Sequence, residues 1–291
     1  MPAIDRPFVA LQRLLPARLL GAAVHRLAGI RTPWFKDWQI RTFARVYAID
    51  TAEAGQPVPA GYPTLNAFFT RGLRPGARPV DPDPAAVTAP ADGRIEQLGT
   101  ITGGQLLQAK GHRYSLAALL ACDVATAAAY EGGAFVTVYL APSDYHRVHM
   151  PLAGTIDRVV HVPGRRLAVN PRTVAAVPGL FAANERVVCS ATHAGAPFAV
   201  VLVGALNVAS VSLAFAGAVT GHRARPTVIL PAPTRPGPVA LATGELLGQF
   251  NLGSTVVVAL GRALAAAWRA DLAAGATVRV GARLGTLGGR G

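Results

Sequence analysis

The spacing of apolar positions changes character along this chain. Between residues 9 and 48, Leu11, Leu14, Leu15, Leu19 and Leu27 recur at near-helical intervals, with Arg13, Arg18 and Arg26 between them. That pattern predicts amphipathic helix, and Pro16 and Pro33 divide it into separate pieces. Residues 55–90 are rich in Pro and Gly and read as a linker wrapping onto the main domain. Beyond residue 90 the chain turns to short β-rich runs punctuated by Gly and Pro, at 136–140, 155–162, 198–203, 208–213, 228–230, 255–260 and 277–280. Two helices are expected among them, around 115–120 and 262–274. No repeat of fixed period is present. The predicted fold class is α+β: an N-terminal amphipathic helical segment over 1–54, the linker over 55–90, and a mainly β domain over 91–291.

One stretch raises a membrane-spanning question. Residues 197–221 carry no charge, and a window of that length can cross a bilayer. Its composition points elsewhere. Val200, Val201, Val203, Val208 and Val211 are β-branched, and Gly204, Asn207, Ser210 and Ser212 interrupt the run. Two buried strands joined by a turn are expected there. Nor does the N-terminus read as a signal peptide, because Arg13 and Arg18 break the apolar run and no clear small-residue cleavage site follows.

Composition narrows the function classes. With 51% hydrophobic and 15% charged residues in 291 positions, the chain is a globular protein with a sizeable core. Its net charge of +13 draws it to polyanions. Just over half of that excess lies in residues 1–78, which hold 11 Lys/Arg against 4 Asp/Glu. There the basic residues are mixed with Leu and aromatic side chains: Trp34, Phe35, Trp38 and Phe43 lie close to Lys36, Arg41 and Arg45. A nucleic-acid-binding tail is usually more polar, whereas a basic, aromatic amphipathic segment suits an anionic membrane surface. The plainer alternative is a helical layer packed on the protein's own core. Cys122 and Cys189 stand far apart and in no CxxC pattern, so no disulfide framework is expected and a reducing compartment fits.

Three segments carry candidate chemistry. Leu252-Gly253-Ser254-Thr255 precedes the apolar run Val256-Val257-Val258. By itself it is a turn before a strand, and it is not the GxSxG elbow of hydrolases. Asp144-Tyr145-His146-Arg147-Val148-His149-Met150-Pro151 places two histidines three apart. They could be metal ligands, a catalytic pair or surface residues. No further ligand lies at motif spacing, so no metal is expected, and catalysis is favoured because an Arg, a Tyr and an Asp share the segment. Ala89-Pro90-Ala91-Asp92-Gly93 is either a turn or the source of an aspartate that orients a histidine.

The set and its order are more telling than any member. From about residue 30 to residue 288 the chain resembles bacterial phosphatidylserine decarboxylase. The stretches that carry the resemblance are the three above together with Phe68-Phe69-Thr70-Arg71, Gln108-Ala109-Lys110-Gly111-His112-Arg113-Tyr114-Ser115-Leu116 and Phe181-Ala182-Ala183-Asn184-Glu185-Arg186. The resemblance implies a self-processing proenzyme cut between Gly253 and Ser254 into chains 1–253 and 254–291. The Ser254 hydroxyl attacks the Gly253 carbonyl, elimination breaks the chain, and hydrolysis leaves a pyruvoyl group in place of Ser254. Asp92 and His149 are implied as a relay, His149 taking the hydroxyl proton and Asp92 fixing the ring tautomer. The covalent pyruvoyl group is the implied cofactor, acting as electron sink through an imine with phosphatidylserine, without metal.

His146 is then left for the later step, as a proton donor titrating near neutrality or as a holder of the substrate carboxylate or phosphate, a role for which Arg147 competes. The implied setting is the cytoplasmic face of the cell membrane, peripherally attached, with no nucleic-acid partner. Oligomeric state stays open, a homodimer included. One departure stands out: the family's Lys-Gly-x-Glu appears here as Thr243-Gly244-Glu245-Leu246, so the Lys is absent and the Glu shifted by one. Two other readings remain: a catalytically silent membrane-surface binder of the same fold, and a decarboxylase of a related serine lipid.

Overall fold

The computed structural model describes residues 12, 17–206, 210–219, 225–232, 237–251 and 254–288. Strands and helices are labelled in chain order. A nine-stranded antiparallel sheet forms the centre. Its spatial order is β12 (Thr227–Leu230), β7 (Gly154–Val162), β8 (Arg186–His193), β9 (Ala196–Gly204), β15 (Ser254–Leu260), β5 (Ala134–Leu140), β2 (Gly93–Thr100) and β17 (Thr277–Val278), with β13 (Val239–Leu241) also pairing β7. A four-stranded sheet runs β11 (Gly217–Val219), β10 (Ser210–Leu213), β14 (Leu246–Asn251), β6 (Arg147–His149). A three-stranded sheet joins β1 (Ala86–Thr88), β18 (Arg283–Thr286) and β16 (Ala267–Trp268), and β3 (Gln105–Leu107) pairs β4 (Arg113–Ser115). The protein is thus α+β and mainly β, as its sequence predicts.

Strand β15 is the axis of this arrangement. It pairs with β5 on one side and β9 on the other along its whole length, from Ser254 to Leu260. All seven residues are buried, as a continuous apolar run between two covered faces requires. Side chains alternate faces along a strand, so Val256 and Val258 enter one core and Val257 the other. The first core lies between the large sheet and the smaller sheets, where Val138, Val256 and Val258 meet Val148, Leu247, Phe250 and Val87. The second lies under the helices α4 (Leu116–Leu120), α5 (Val124–Ala128), α6 (Pro171–Ala176) and α7 (Leu180–Ala183), with Phe135, Val201 and Val257 against Leu116, Leu119 and Phe181.

The described residues of the uncharged stretch 197–221 form β9, β10 and β11, with no helix among them. The two predicted strands do form, but in different sheets; residues 207–209 and 220–221 lie outside the described residues. Among the described residues no helix is long and apolar enough to span a membrane. Both cysteines are free, Cys189 buried and Cys122 half-buried.

The N-terminal region forms α1 (Ala17–Ala28) and α2 (Pro33–Val46). Pro33 begins α2, where its missing N–H costs nothing. Helix α2 buries Ile40 in a small separate core with Ile49, Tyr62 and Phe68. The stretch expected to be a linker is more structured than Pro and Gly suggest: it holds α3 (Leu65–Phe69), whose Phe68 and Phe69 are fully buried.

The helix expected over 262–274 is not formed. Only a 3-10 turn, Arg262–Leu264, is present, and the chain then leaves helical geometry at Ala265, where φ is +47°. Ala-rich local preference is worth only a few tenths of a kcal/mol per residue. Pairing of Ala267 and Trp268 with β18, and the Trp268 indole's hydrogen bond to the Gly99 carbonyl at 3.4 Å, override it.

Candidate active site

Ser254 opens β15, opposite Leu140 of β5 and Gly204 of β9. Strand alternation turns its side chain to the same face as Val256 and Val258, the face covered by β6 and β14. The residue is 1% exposed, and its Oγ has no hydrogen-bond partner among the described residues. A buried hydroxyl without a partner is costly; Tyr114, Thr137 and Thr255 have such hydroxyls too, so it is the Gly-Ser motif that singles Ser254 out as the candidate. Gly204 leaves no side chain beside it, and Asn184 holds the Gly204 carbonyl at 2.9 Å. The preceding Leu252 and Gly253 lie outside the described residues.

His149 ends β6, beside Leu246 of β14. Its Nδ1 lies 2.8 Å from the Gly244 carbonyl. A carbonyl only accepts, so Nδ1 carries the proton and Nε2 keeps the lone pair. The Tyr145 hydroxyl, 3.1 Å away, donates to that Nε2. Burial pushes the Tyr145 phenol above its ordinary pKa, so it is protonated. For His149, burial is the largest influence and lowers the pKa below the usual 6.5, partly opposed by the Gly244 carbonyl and the Asp92 charge. Burial thus favours the neutral ring, with its proton on Nδ1 and its lone pair on Nε2.

Asp92 does not complete the expected relay by touching His149. Its carboxylate accepts from Arg78 Nε at 2.9 and 3.0 Å and from Arg78 Nη2 at 2.6 Å, and from the Val280 backbone N–H at 2.8 Å. Arg78 also binds Glu53 through both terminal nitrogens. Burial opposes the guanidinium's charge, but hydrogen bonds to Asp92 and Glu53 outweigh it and raise its pKa. The tautomer of His149 is therefore set by a backbone carbonyl, and Asp92 acts on the ring through space. A backbone carbonyl can fix an imidazole tautomer as a carboxylate does, although it brings no charge to stabilise the imidazolium.

Two glycines supply that rigidity. Gly93 lets β2 lie so close to β5 that a side chain there would fall within 2.2 Å of the Tyr139 carbonyl, and this places Asp92. Gly244 has φ +75°, and a side chain would meet Val80. The Glu245 side chain accepts from the Ala242 N–H at 2.8 Å and closes the same turn.

His146 is fully buried, its ring 4.0 Å from that of Phe69. Nδ1 donates to the Asp144 carbonyl at 2.8 Å, and Nε2 is buried without a partner among the described residues. Burial lowers its pKa to about 3. The expectation of a histidine titrating near neutrality is therefore corrected: desolvation keeps this ring neutral, and what it offers is an acceptor.

Arg78, Tyr145 and the Gly244 carbonyl are the site residues whose roles sequence reading missed. Tyr145 and Gly244 were within motifs already singled out, but a backbone carbonyl has no sequence signature. Two further motifs prove to be braces. Gln108 spans the Val174 and Val177 carbonyls at 2.6 and 2.7 Å, and Arg186 binds four backbone carbonyls near α4 and α7. Among the described residues no cluster of His, Cys, Asp and Glu is arranged to hold a metal ion.

Comparison with known proteins identifies the family. The family model described as phosphatidylserine decarboxylase matches residues 65–286, and a second, described as PSD, matches residues 7–48. The phosphatidylserine decarboxylase proenzyme of Azotobacter vinelandii is 48% identical over 282 residues, covering 97% of this chain and 98% of that protein. The proenzyme of Ectopseudomonas mendocina is 49% identical with the same coverage, and that of Methylococcus capsulatus 47% identical over 96% of each. The chain, a carboxy-lyase, belongs to the phosphatidylserine decarboxylase family.

Proposed function

We propose that this chain is a self-cleaving, pyruvoyl-dependent enzyme that converts phosphatidylserine to phosphatidylethanolamine and carbon dioxide. The observation that carries the reading is the Ser254 hydroxyl, buried and unpartnered at the head of the central strand, on the face shared with the strand of His149. His149 Nε2 takes the hydroxyl proton, since its Nδ1–H is committed to Gly244. Tyr145 yields its bond to Nε2 at that step. The oxygen attacks the Gly253 carbonyl, and the peptide bond becomes an ester. Loss of the Ser254 α-proton then breaks the Cβ–Oγ bond, releasing the Gly253 carboxylate and leaving a dehydroalanine. Water replaces its nitrogen, and ammonia departs.

The site fits the resulting pyruvoyl group, because Gly204 leaves room beside residue 254 and, among the described residues, no ionised side chain is bonded to Ser254 Oγ. Once formed, that group supplies the electron sink for decarboxylation. The unpartnered Nε2 of His146 accepts a hydrogen bond from the substrate side, and Asp92 favours the protonated form of His149 through its charge. Cleavage leaves β15 to β18 threaded into two sheets of the larger chain, so the two chains stay together.

Attachment is peripheral, through α1 and α2, at the cytoplasmic face of a membrane. Leu19, Leu27, Trp34 and Trp38 are 52–74% exposed, with Arg26, Arg31, Arg41 and Arg45 exposed beside them. The decisive experiment is intact-mass analysis with a denaturing gel. The wild-type chain gives fragments 1–253 and a pyruvoyl-blocked 254–291, and Ser254→Ala stays whole. A wild-type chain that remains single would instead favour the silent binder, and cleavage of Ser254→Ala at this bond would refute the mechanism.

A further inference from the structure

Two arginines of this protein are almost completely buried, and the fold treats them differently. Arg186, 4% exposed, has its guanidinium bonded to the carbonyls of Leu119, Ala182, Asn184 and Ala118. Arg71 is 5% exposed, yet its Nε and Nη1 have no partner among the described residues. Its Nη2 reaches the Ser143 carbonyl only at 3.4 Å, and the group lies 5.3 Å from the centre of the Phe68 ring. The charges of Asp92 and Glu53 act on Arg71 through space, but no carboxylate is bonded to it, and a buried cation with unbonded donors is destabilising, which suits this position to an anion from outside.

Arg71 lines an open cavity shared with Arg147, Gln249, Thr70, Tyr62 and Gln56. No acidic residue is among its lining residues. Arg147 is anchored by its Nε, which donates to the Thr70 carbonyl at 3.0 Å, and Gln249 lies opposite it in the β14–β6 register. The cavity has the candidate active site on one side: the ring of Phe69, two residues before Arg71, packs at a tilt against His146, and β14 ends three residues before Ser254. On the other side it meets the N-terminal helices, because Tyr62 packs in the same small core as Ile40 of α2. It is therefore linked to His146 through Phe69 and to α2 through Tyr62, a place a lipid headgroup could reach.

We propose that Arg71, assisted by Arg147, binds the phosphodiester of the substrate headgroup; this rests on the decarboxylase reading above. The substrate carries two anionic groups, and chemistry selects between them. The carboxylate loses its charge as carbon dioxide leaves, so a cation clamped on it would stabilise the reactant more than the transition state. The phosphodiester is unchanged by the reaction, and binding energy spent on it positions the serine without opposing the chemistry.

The test uses the full chain after self-cleavage. Dihexanoyl phosphatidylserine is the substrate, and sn-glycero-3-phosphoethanolamine, which has the phosphodiester but no carboxylate, is the binding probe in titration calorimetry. Loss of one charge-assisted contact predicts that Arg71→Gln raises KM and weakens probe binding by about ten- to a hundredfold, with kcat affected less. Arg71→Lys recovers part of the loss, and Arg147→Gln shows a smaller one. If Arg71→Gln does not accumulate as cleaved protein, the Arg71→Lys and Arg147→Gln chains give the same comparison, and unchanged probe affinity in both refutes the site.

Unchanged probe affinity in Arg71→Gln also refutes it. So does a loss confined to O-methylserine, which has the carboxylate without phosphate, or inorganic phosphate binding more tightly than the diester. A wild-type chain that binds the probe through Arg71 but releases no carbon dioxide would overturn the decarboxylase reading and support the anion site.

Discussion

The Nδ1 proton of His149 rests on the carbonyl of Gly244, 2.8 Å away. These residues are far apart in sequence and meet because β6 pairs with β14. The turn that presents the carbonyl has φ +75° at Gly244, with Val80 packed where a side chain would project. Replacement by Ala therefore strains the turn and displaces the acceptor. Self-cleavage of Gly244→Ala is expected to slow at least tenfold, timed by gel after synthesis at low temperature. Wild-type kinetics in this variant would show that the bond does not orient the base.

The acid limb of self-cleavage should lie below the ordinary histidine range. Burial lowers the pKa of His149, so its neutral, proton-accepting form persists as pH falls past 6.5 and is lost only further down. His146, held at about 3 by burial, contributes no titration near neutrality to either step. A cleavage-rate profile over pH 4–9 checks both, and a midpoint at or above the ordinary value would contradict the burial of His149.

Arg78 joins Asp92 and Glu53 in an ion-pair cluster whose arginine and aspartate side chains are 10% and 9% exposed. Arg78→Met leaves the Asp92 carboxylate with only the Val280 N–H. Removing one member of a buried pair costs about 3–5 kcal/mol. Urea unfolding in the uncleavable Ser254→Ala background should show a loss of that size, together with slower cleavage in the otherwise native chain. A loss under 1 kcal/mol would mean that Asp92 is solvated after all.

The exposed rings of Trp34 and Trp38 both contact Phe35, at 5.5 and 5.7 Å, so they form one patch on α2. Replacing both tryptophans with Glu should weaken binding to vesicles containing anionic lipid at least tenfold, without altering self-cleavage. Sedimentation with vesicles and a gel of the same samples measure both. Equal sedimentation would remove this helix from membrane attachment.

Strand periodicity, the buried valine run and the ordered motifs were legible in the chain because they are local: alternation of side chains and the apolar character of β5, β9 and β15 need no knowledge of neighbours. The candidate residues Asp92, His149 and Ser254 came instead from the resemblance that the ordered motifs carry, and His146 from the segment it shares with His149. Their partners were not legible. That Asp92 faces Arg78 rather than His149, that a glycine carbonyl fixes the imidazole, and that His146 is too buried to titrate near neutrality all depend on segments brought together by strand pairing. The same reason governs 262–274, where alanine-rich local preference lost to pairing with β18. Ordered motifs in the chain name the candidate groups; hydrogen-bond partners and desolvation, which set their protonation and direction, exist only once distant segments are packed against each other.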